Sequence, residues 1–499
     1  MKKRLLTTLL ILTLMLTSLG GAALAEDKVL IVGQAEDTTT LDPQMQGDMP
    51  AMSILINIYD TLITRDEGGN LIPCLATEWE ALDETTWQFK LREGVTFHNG
   101  EPFNAESVKA TLERLIDPAT GSPIEEQENL TGIEVVDEYT INLTFSGSDP
   151  LVPAKLVMFG GVMLPAEYTK THDAEYLAQN PVGTGPYKFV SWTKDYEVVL
   201  EKNEDYWLGA PAYDKLIFRA IPDEAAMLTA IQVGEVDVVS SLTSDMVVGL
   251  SGNEDVKVVN SPWIRTSYIA LDCTESPLNI KEVRQAMNWA VDKETIIETL
   301  FGGAAHQVST IMPHQNFGYD EEVPMYGYDP EKAKSLLEAA GYADGFTVRL
   351  ECGNSDAMYA QAIGAYLEQV GIHCEINPVD PNTLVSDTSG GTADALVYQS
   401  NTGWTMDAWN NFYSYLRSNR KYNQGYDYEG LDALIDIEEK DLDMQRRLEA
   451  ISEIQNILSE ECYFIYLWQR DCIYAIRSDV EYTPNTLNLL KMYNARPAE

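Results

Sequence analysis

Apolar residues from Lys28 to Val32 form a short run that predicts a strand, and the run ends in the polar loop Glu36 to Pro43. Trp87, Phe89 and Leu91 alternate with polar neighbours, as do Ile141, Leu143 and Phe145. A period of two marks half-buried antiparallel strands. Between them, Asn104 is placed to cap a helix running towards Ile116, since its side chain can accept from the free N–H groups of the first turn. The N-terminal third therefore reads as mixed structure with strands dominant.

Beyond it the pattern changes to strands alternating with helices. Asp223 starts a helix with Ala226, Met227, Ala230 and Ile231 on one face, Gly234 stops it, and Val236 to Val239 returns as a strand. In DPEKAKSLLEAAG, Asp329 caps, Pro330 takes the first helical position, and Ala333, Leu336, Leu337 and Ala340 form the buried stripe that Gly341 closes. Phe346 to Glu351, a helix to about Val370, and Ile372 to Asn377 make a strand-helix-strand unit. The second half reads as α/β layers. No repeat of solenoid period and no low-complexity linker interrupts it. Lobes without flexible linkers are joined by several short crossings, the arrangement a hinge uses.

The first residues change the picture of where this fold works. Lys2, Lys3 and Arg4 precede an apolar run from Leu5 to Leu19, and small residues follow as far as Ala23-Leu24-Ala25. This is a secretory leader, residues 1–25, with the mature chain expected to begin near Glu26. No cysteine follows the run to carry a lipid anchor, and no later stretch is long and apolar enough to span a bilayer. The mature product is expected to be soluble and extracytoplasmic, periplasmic or secreted, with no stable membrane insertion.

About 470 residues remain, more than one core usually supports, so two or three lobes are expected. The net charge of −44 becomes three units more negative once the leader is lost. Nucleic acid and anionic membrane demand a basic face and are excluded as partners. Charge of this size keeps an exported protein soluble, and attraction for cationic solutes is a second reading of it. Six cysteines are few for the length; Cys462 and Cys472 can pair only if their segments lie side by side. No C-x-x-C occurs and the five histidines show no ligand spacing, so no metal and no cofactor are expected.

Catalytic patterns fare no better. There is no G-x-S-x-G elbow and no H-E-x-x-H helix. VGTGPY lacks the lysine of a phosphate loop and the spacing of a dinucleotide fingerprint. With 78 acidic residues, a glycosidase-like carboxylate pair can be drawn almost anywhere and specifies nothing. The chain is read as a non-enzyme, with a secreted carbohydrate-active enzyme as the competing class.

Nine segments in order do carry information: TLDPQ from Thr40, IYDTLI from Ile58, PCLATEW from Pro73, WQFKLREGVTFHNGEPFNAESV from Trp87, NPVGTGPYKF from Asn180, NEDYW from Asn203, GEVD from Gly234, VRQAMNWAVDK from Val283 and YDPEKAKSLLEAAGY from Tyr328. Together they resemble the extracytoplasmic solute-binding proteins of peptide-type ABC importers, the family 5 group of dipeptide-, oligopeptide- and nickel-binding proteins. The resemblance implies an α/β, type II-like periplasmic binding fold of three lobes. It places lobe I at 26–58, 184–273 and 478–499, lobe II at 59–183, and lobe III at 274–477, with the ligand enclosed between lobes I and III. It also implies a monomer that captures a small peptide or a related amine-bearing solute and delivers it to the transmembrane subunits of a permease. Oligosaccharide or metal-chelate binding is the alternative on the same scaffold.

Candidate site residues follow from the same source. GWTMDAW sets Asp407 among Trp404, Met406 and Trp409. By residue type alone it is either a solvated loop acid or a ligand anchor. The resemblance implies that Asp407 pairs with a ligand ammonium, with Gly403, Trp404 and Thr405 around it, Trp404 drying the pair. The family's Asp-Pro after this acid is replaced by AWNNF, and NSDAMYAQAIGAYLE lacks the arginine that holds a dipeptide's carboxylate. Arg265 in SPWIRTSY can substitute, with Trp263 as an aromatic wall; the competing reading is a surface strand residue. Tyr187, and more weakly Trp192, lie near the expected hinge, where aromatic residues also serve as core.

Overall fold

The structure is a computed structural model that describes residues 27–380, 383–384, 393–399, 405–420 and 422–498. Strand β1 (Val29–Gln34) opens the chain and leads through a helix, Met49–Ile58, to the hairpin β2 (Ile63–Arg65) and β3 (Leu71–Pro73). An antiparallel sheet follows, β4 (Ala76–Ala81), β5 (Thr86–Leu91), β6 (Leu130–Asp137) and β7 (Thr140–Phe145), in the order β4-β5-β7-β6. Phe89, Leu91, Ile141, Leu143 and Phe145 are buried, as the period of two required. The helix Ala105–Ile116 is capped by Asn104, whose side chain accepts from Glu106 and Ser107 N–H.

Next come β8 (Tyr187–Thr193), β9 (Glu197–Lys202), β10 (Lys215–Ala220) and the two-residue β11 (Val238–Val239). Two long strands follow: β12 (Val256–Leu271) and, far along the chain, β17 (Phe464–Arg477). Between them lie β13 (Ala305–Gln307), β14 (Phe346–Gly353), β15 (Ile372–Val379) and β16 (Ala395–Gln399). One sheet links them in the order β15-β14-β16-β12-β17-β11-β1-β10-β9-β8, with β13 on β17. β14 runs parallel to β15 and β16, and β1 parallel to β10 and β11, whereas β12 and β17 are antiparallel.

Two large cores flank the middle of this sheet. The first draws on Leu30 to Ile264 and on Cys472 to Ala495, so the segments expected as lobes I and II share it. The second runs from Tyr268 to Trp468. A small third core lies under the helix Glu224–Val233. That helix is capped by Asp223 and ended by Gly234 at φ 79°, with Met227, Ala230 and Ile231 buried, but Ala226 is exposed. Asp329 likewise caps Pro330–Ala339, which buries Ala333 and Leu337.

Three of the recurring segments converge on one buried acid. Asp60 of IYDTLI accepts from Thr184 Oγ1 of VGTGPY at 3.0 Å, and from Tyr206 Oη at 3.0 Å and Trp207 Nε1 at 2.9 Å in NEDYW. Around it the chain passes itself closely: a Cβ on Gly183 would stand 2.1 Å from Ile58 O, and one on Gly185 2.6 Å from Ile58 C. No side chain fits there, so the glycines of NPVGTGPY serve a rigid packed crossing. His98 of the FHNG turn completes it, its Nε2–H donating to Gly185 O at 2.9 Å.

VRQAMNWAVDK is equally structural. Buried Asn288 donates to Phe464 O and accepts from Tyr466 N–H, and buried Lys293 donates to Asn288 O and Tyr326 O. The conditional pairing of Cys462 with Cys472 does not occur; both are free. β17 is continuous between them, and eight extended residues span roughly 26 Å, far beyond disulfide reach.

Candidate functional site

The passage between the two large cores is made by β12 and β17. They pair from Val256↔Arg477 to Pro262↔Asp471, and again from Thr266↔Gln469 onward. Trp263, Ile264 and Arg265 fall in the gap, three residues opposite Arg470 alone, and form a bulge. Bulges bend a strand and re-aim its side chains. Here the bulge sits where the chain leaves the first core, at Ile264, and enters the second, at Tyr268.

The bulge turns Trp263 and Arg265 into a stacked pair, the guanidinium 4.3 Å from the ring centroid. Both are half-buried, and Trp263 leans on the first core. Burial lowers the Arg265 pKa, and no carboxylate among the described residues forms an ion pair with it. The bulge is held from behind by Gln469, which is fully buried. Its Nε2 donates to Trp263 O and to Gln315 Oε1, while its Oε1 accepts from His314 N–H and, at 2.7 Å, from His314 Nδ1–H.

A second element bridges the cores. Met406, at φ 47°, packs into the first core, while Ala408 and Phe412 belong to the second. Asp407 lies between them with its side chain 5% exposed. Arg447 Nη2 donates to both of its oxygens, at 3.1 and 3.0 Å, and Trp409 N–H donates to Oδ1. The same Nη2 reaches Glu438 Oε1 at 3.0 Å, and Arg447 Nε donates to Glu438 O. Burial, with Asp407 beside it, pushes the Glu438 carboxyl well above the usual range, which favours its protonated form. The Arg65 guanidinium also lies within electrostatic reach of Asp407.

Both Asp407 oxygens are thus engaged by groups of the protein itself, so a ligand ammonium reaching this acid would share it with Arg447. The same contacts tie down the loop that straddles the two cores. Thr405 sits at the start of that loop, where its carbonyl accepts from Arg65 Nη2 of the β2–β3 hairpin. Gly69 of the hairpin turn, at φ 86°, lies against Met406; a Cβ there would meet Cε at 2.7 Å. Gly403 and Trp404 lie outside the described residues, as does the leader.

Tyr187 is wholly buried in the first core at the start of β8. Trp192 donates its indole N–H to Asp37, tying β8 to the loop after β1. Pattern reading missed Arg447, Glu438, Arg65 and Gln469. Each sits on a helix or strand far in sequence from its partner, and nothing in its own neighbourhood marks it. Among the described residues no three His, Cys, Asp or Glu side chains gather as metal ligands, and no helix is long and apolar enough to cross a membrane.

Comparison with known proteins agrees with this architecture. The model of the bacterial extracellular solute-binding proteins, family 5 middle region, matches residues 70–423. The glutathione-binding protein GsiB of Pectobacterium atrosepticum is 30% identical over 393 residues, 76% of this chain and 75% of its own. Among solved structures, HbpA2 from Haemophilus parasuis superposes with a TM-score of 0.86 at 23% identity, covering 94% of this chain and 100% of that one. DppA from Helicobacter pylori, in complex with the peptide STSA, gives 0.72 at 26% identity over 94% of this chain and 98% of its own. With an α/β sheet of this order and a match across most of its length, the chain belongs to the bacterial extracellular solute-binding proteins of family 5.

Proposed function

We propose that this protein is the solute receptor of an ABC importer, exported by residues 1–25, and that it closes around a short peptide or a related amine-bearing solute. The relatives named for glutathione and peptide binding support the ligand class. The observation that carries the reading is the bulge. A half-buried guanidinium, backed by an indole and with no ion pair among the described residues, stands where the chain passes between the two cores. A ligand carboxylate supplies the missing partner, and closure removes water from the pair, which strengthens it. No bond of the solute is made or broken; the loaded monomer presents it to the permease.

Calorimetry of the chain from residue 26 onward, with tripeptides as free acids and as C-terminal amides, tests this directly. Arg265→Gln is expected to weaken the free acids about tenfold or more and to leave the amides unchanged. Wild-type affinity for the free acids in Arg265→Gln would remove the assignment. Light scattering across the titration is expected to show one chain per particle with and without ligand.

A further inference from the structure

A cavity of about 700 Å³ lies between the β2–β3 hairpin and the segment 483–494. Its volume is that of a small-molecule site. Its charge is out of character with the chain, where 34 lysines and arginines face 78 acids. Arg65, Arg92 and Lys491 all line it, and none forms an ion pair among the described residues. Arg65 spends two nitrogens on the carbonyls of Gly69 and Thr405. Arg92 lies over the Trp207 ring at 4.2 Å, with Nε donating to Cys74 O, so its two terminal nitrogens are fixed in place. Among the described residues the Lys491 ammonium makes no side-chain hydrogen bond. The acids on the rim are Asp66, whose oxygens are taken by Asn70, and Glu67.

We infer that this cavity is an anion site for a small solute carrying two or more carboxylates, gripped between Arg92 and Lys491. Arg65 has Asp66 and Asp407 within electrostatic reach, but in so acidic a chain a cation is easily matched by a neighbouring acid, and Arg92 and Lys491, without an ion pair among the described residues, leave positive potential at the cavity for an outside anion. Arg65 gives such a ligand a route to the straddling loop, because the same guanidinium lines the cavity and holds Thr405 O. The inference does not depend on which solute the bulge takes.

Citrate is a suitable probe, titrated calorimetrically into the chain from residue 26 onward in chloride buffer. One citrate per chain is expected, with Lys491→Gln and Lys491→Glu each weakening it about tenfold or more while Arg265→Gln leaves it unchanged. The Lys491 side chain is partly exposed and makes no ion pair among the described residues, so both variants are expected to keep the wild-type melting temperature without citrate, which separates loss of binding from loss of fold. Undiminished binding in both variants overturns the site. So does binding lost in Arg265→Gln, since citrate would then occupy the bulge, and so does no binding to the wild type.

Discussion

Asp407, Glu438 and Arg447 form a buried cluster in which one guanidinium bonds both carboxyls. Breaking a buried pair strands an ion, but which ion is stranded differs by position. Arg447→Met removes the cation that bonds both carboxyls, and is expected to cost about 3 to 5 kcal/mol. In Asp407→Asn, Glu438 can give up its proton and become the partner, so the loss is that of a charged hydrogen bond, roughly 1.5 to 3 kcal/mol. Urea denaturation of both variants measures the order, and a larger loss in Asp407→Asn would refute the shared proton. The pH dependence follows from the same proton. Glu438 is raised in the fold, so its contribution is complete below the ordinary glutamate range and is lost as pH rises through the folded value. Glu438→Gln is expected to abolish that decline.

At the scale of elements, His98 couples the FHNG turn to the NPVGTGPY crossing. Burial holds its pKa down to about 4, so it is neutral in the fold. A depressed histidine contributes stability above its unfolded value near 6.5, and the contribution falls as pH drops towards 4. The slope is at most about 1.4 kcal/mol per pH unit. His98→Gln keeps a donor for Gly185 O and is expected to flatten the profile between pH 6.5 and 4; an unchanged slope would assign the proton elsewhere. Much at this scale was legible in the sequence. Asp223, Asp329 and Asn104 announce their helices because capping is local chemistry between residues two or three apart. The β12 bulge was not legible, because the register that creates it is set by β17, some two hundred residues away. For the same reason Asp407 was marked by its spacing as notable while its partners, on a later pair of helices, stayed hidden. The resemblance supplied candidates for the site, and the fold adds what the pattern could not: Tyr187 is buried, Asp407 is paired with Arg447, and Arg265 is stacked on Trp263 with no ion pair among the described residues.

The whole molecule is two packed bodies sharing one sheet, bridged by β12, β17 and the loop from Thr405 to Phe412. Each body has its own core, so relative movement costs little packing within either, and the bridging strands and the loop are where bending must be absorbed. In the function proposed above, closure around a guest converts weak, wet contacts into dry ones. The most direct measurement is equilibrium dialysis of the chain from residue 26 onward against mixed tripeptides, glutathione among them, with mass spectrometry of what is retained. The expected result is about one peptide per chain, chemically intact, with the free carboxylate required and retention lost in Arg265→Gln. Retention of none, or recovery of cleaved products, would contradict the account.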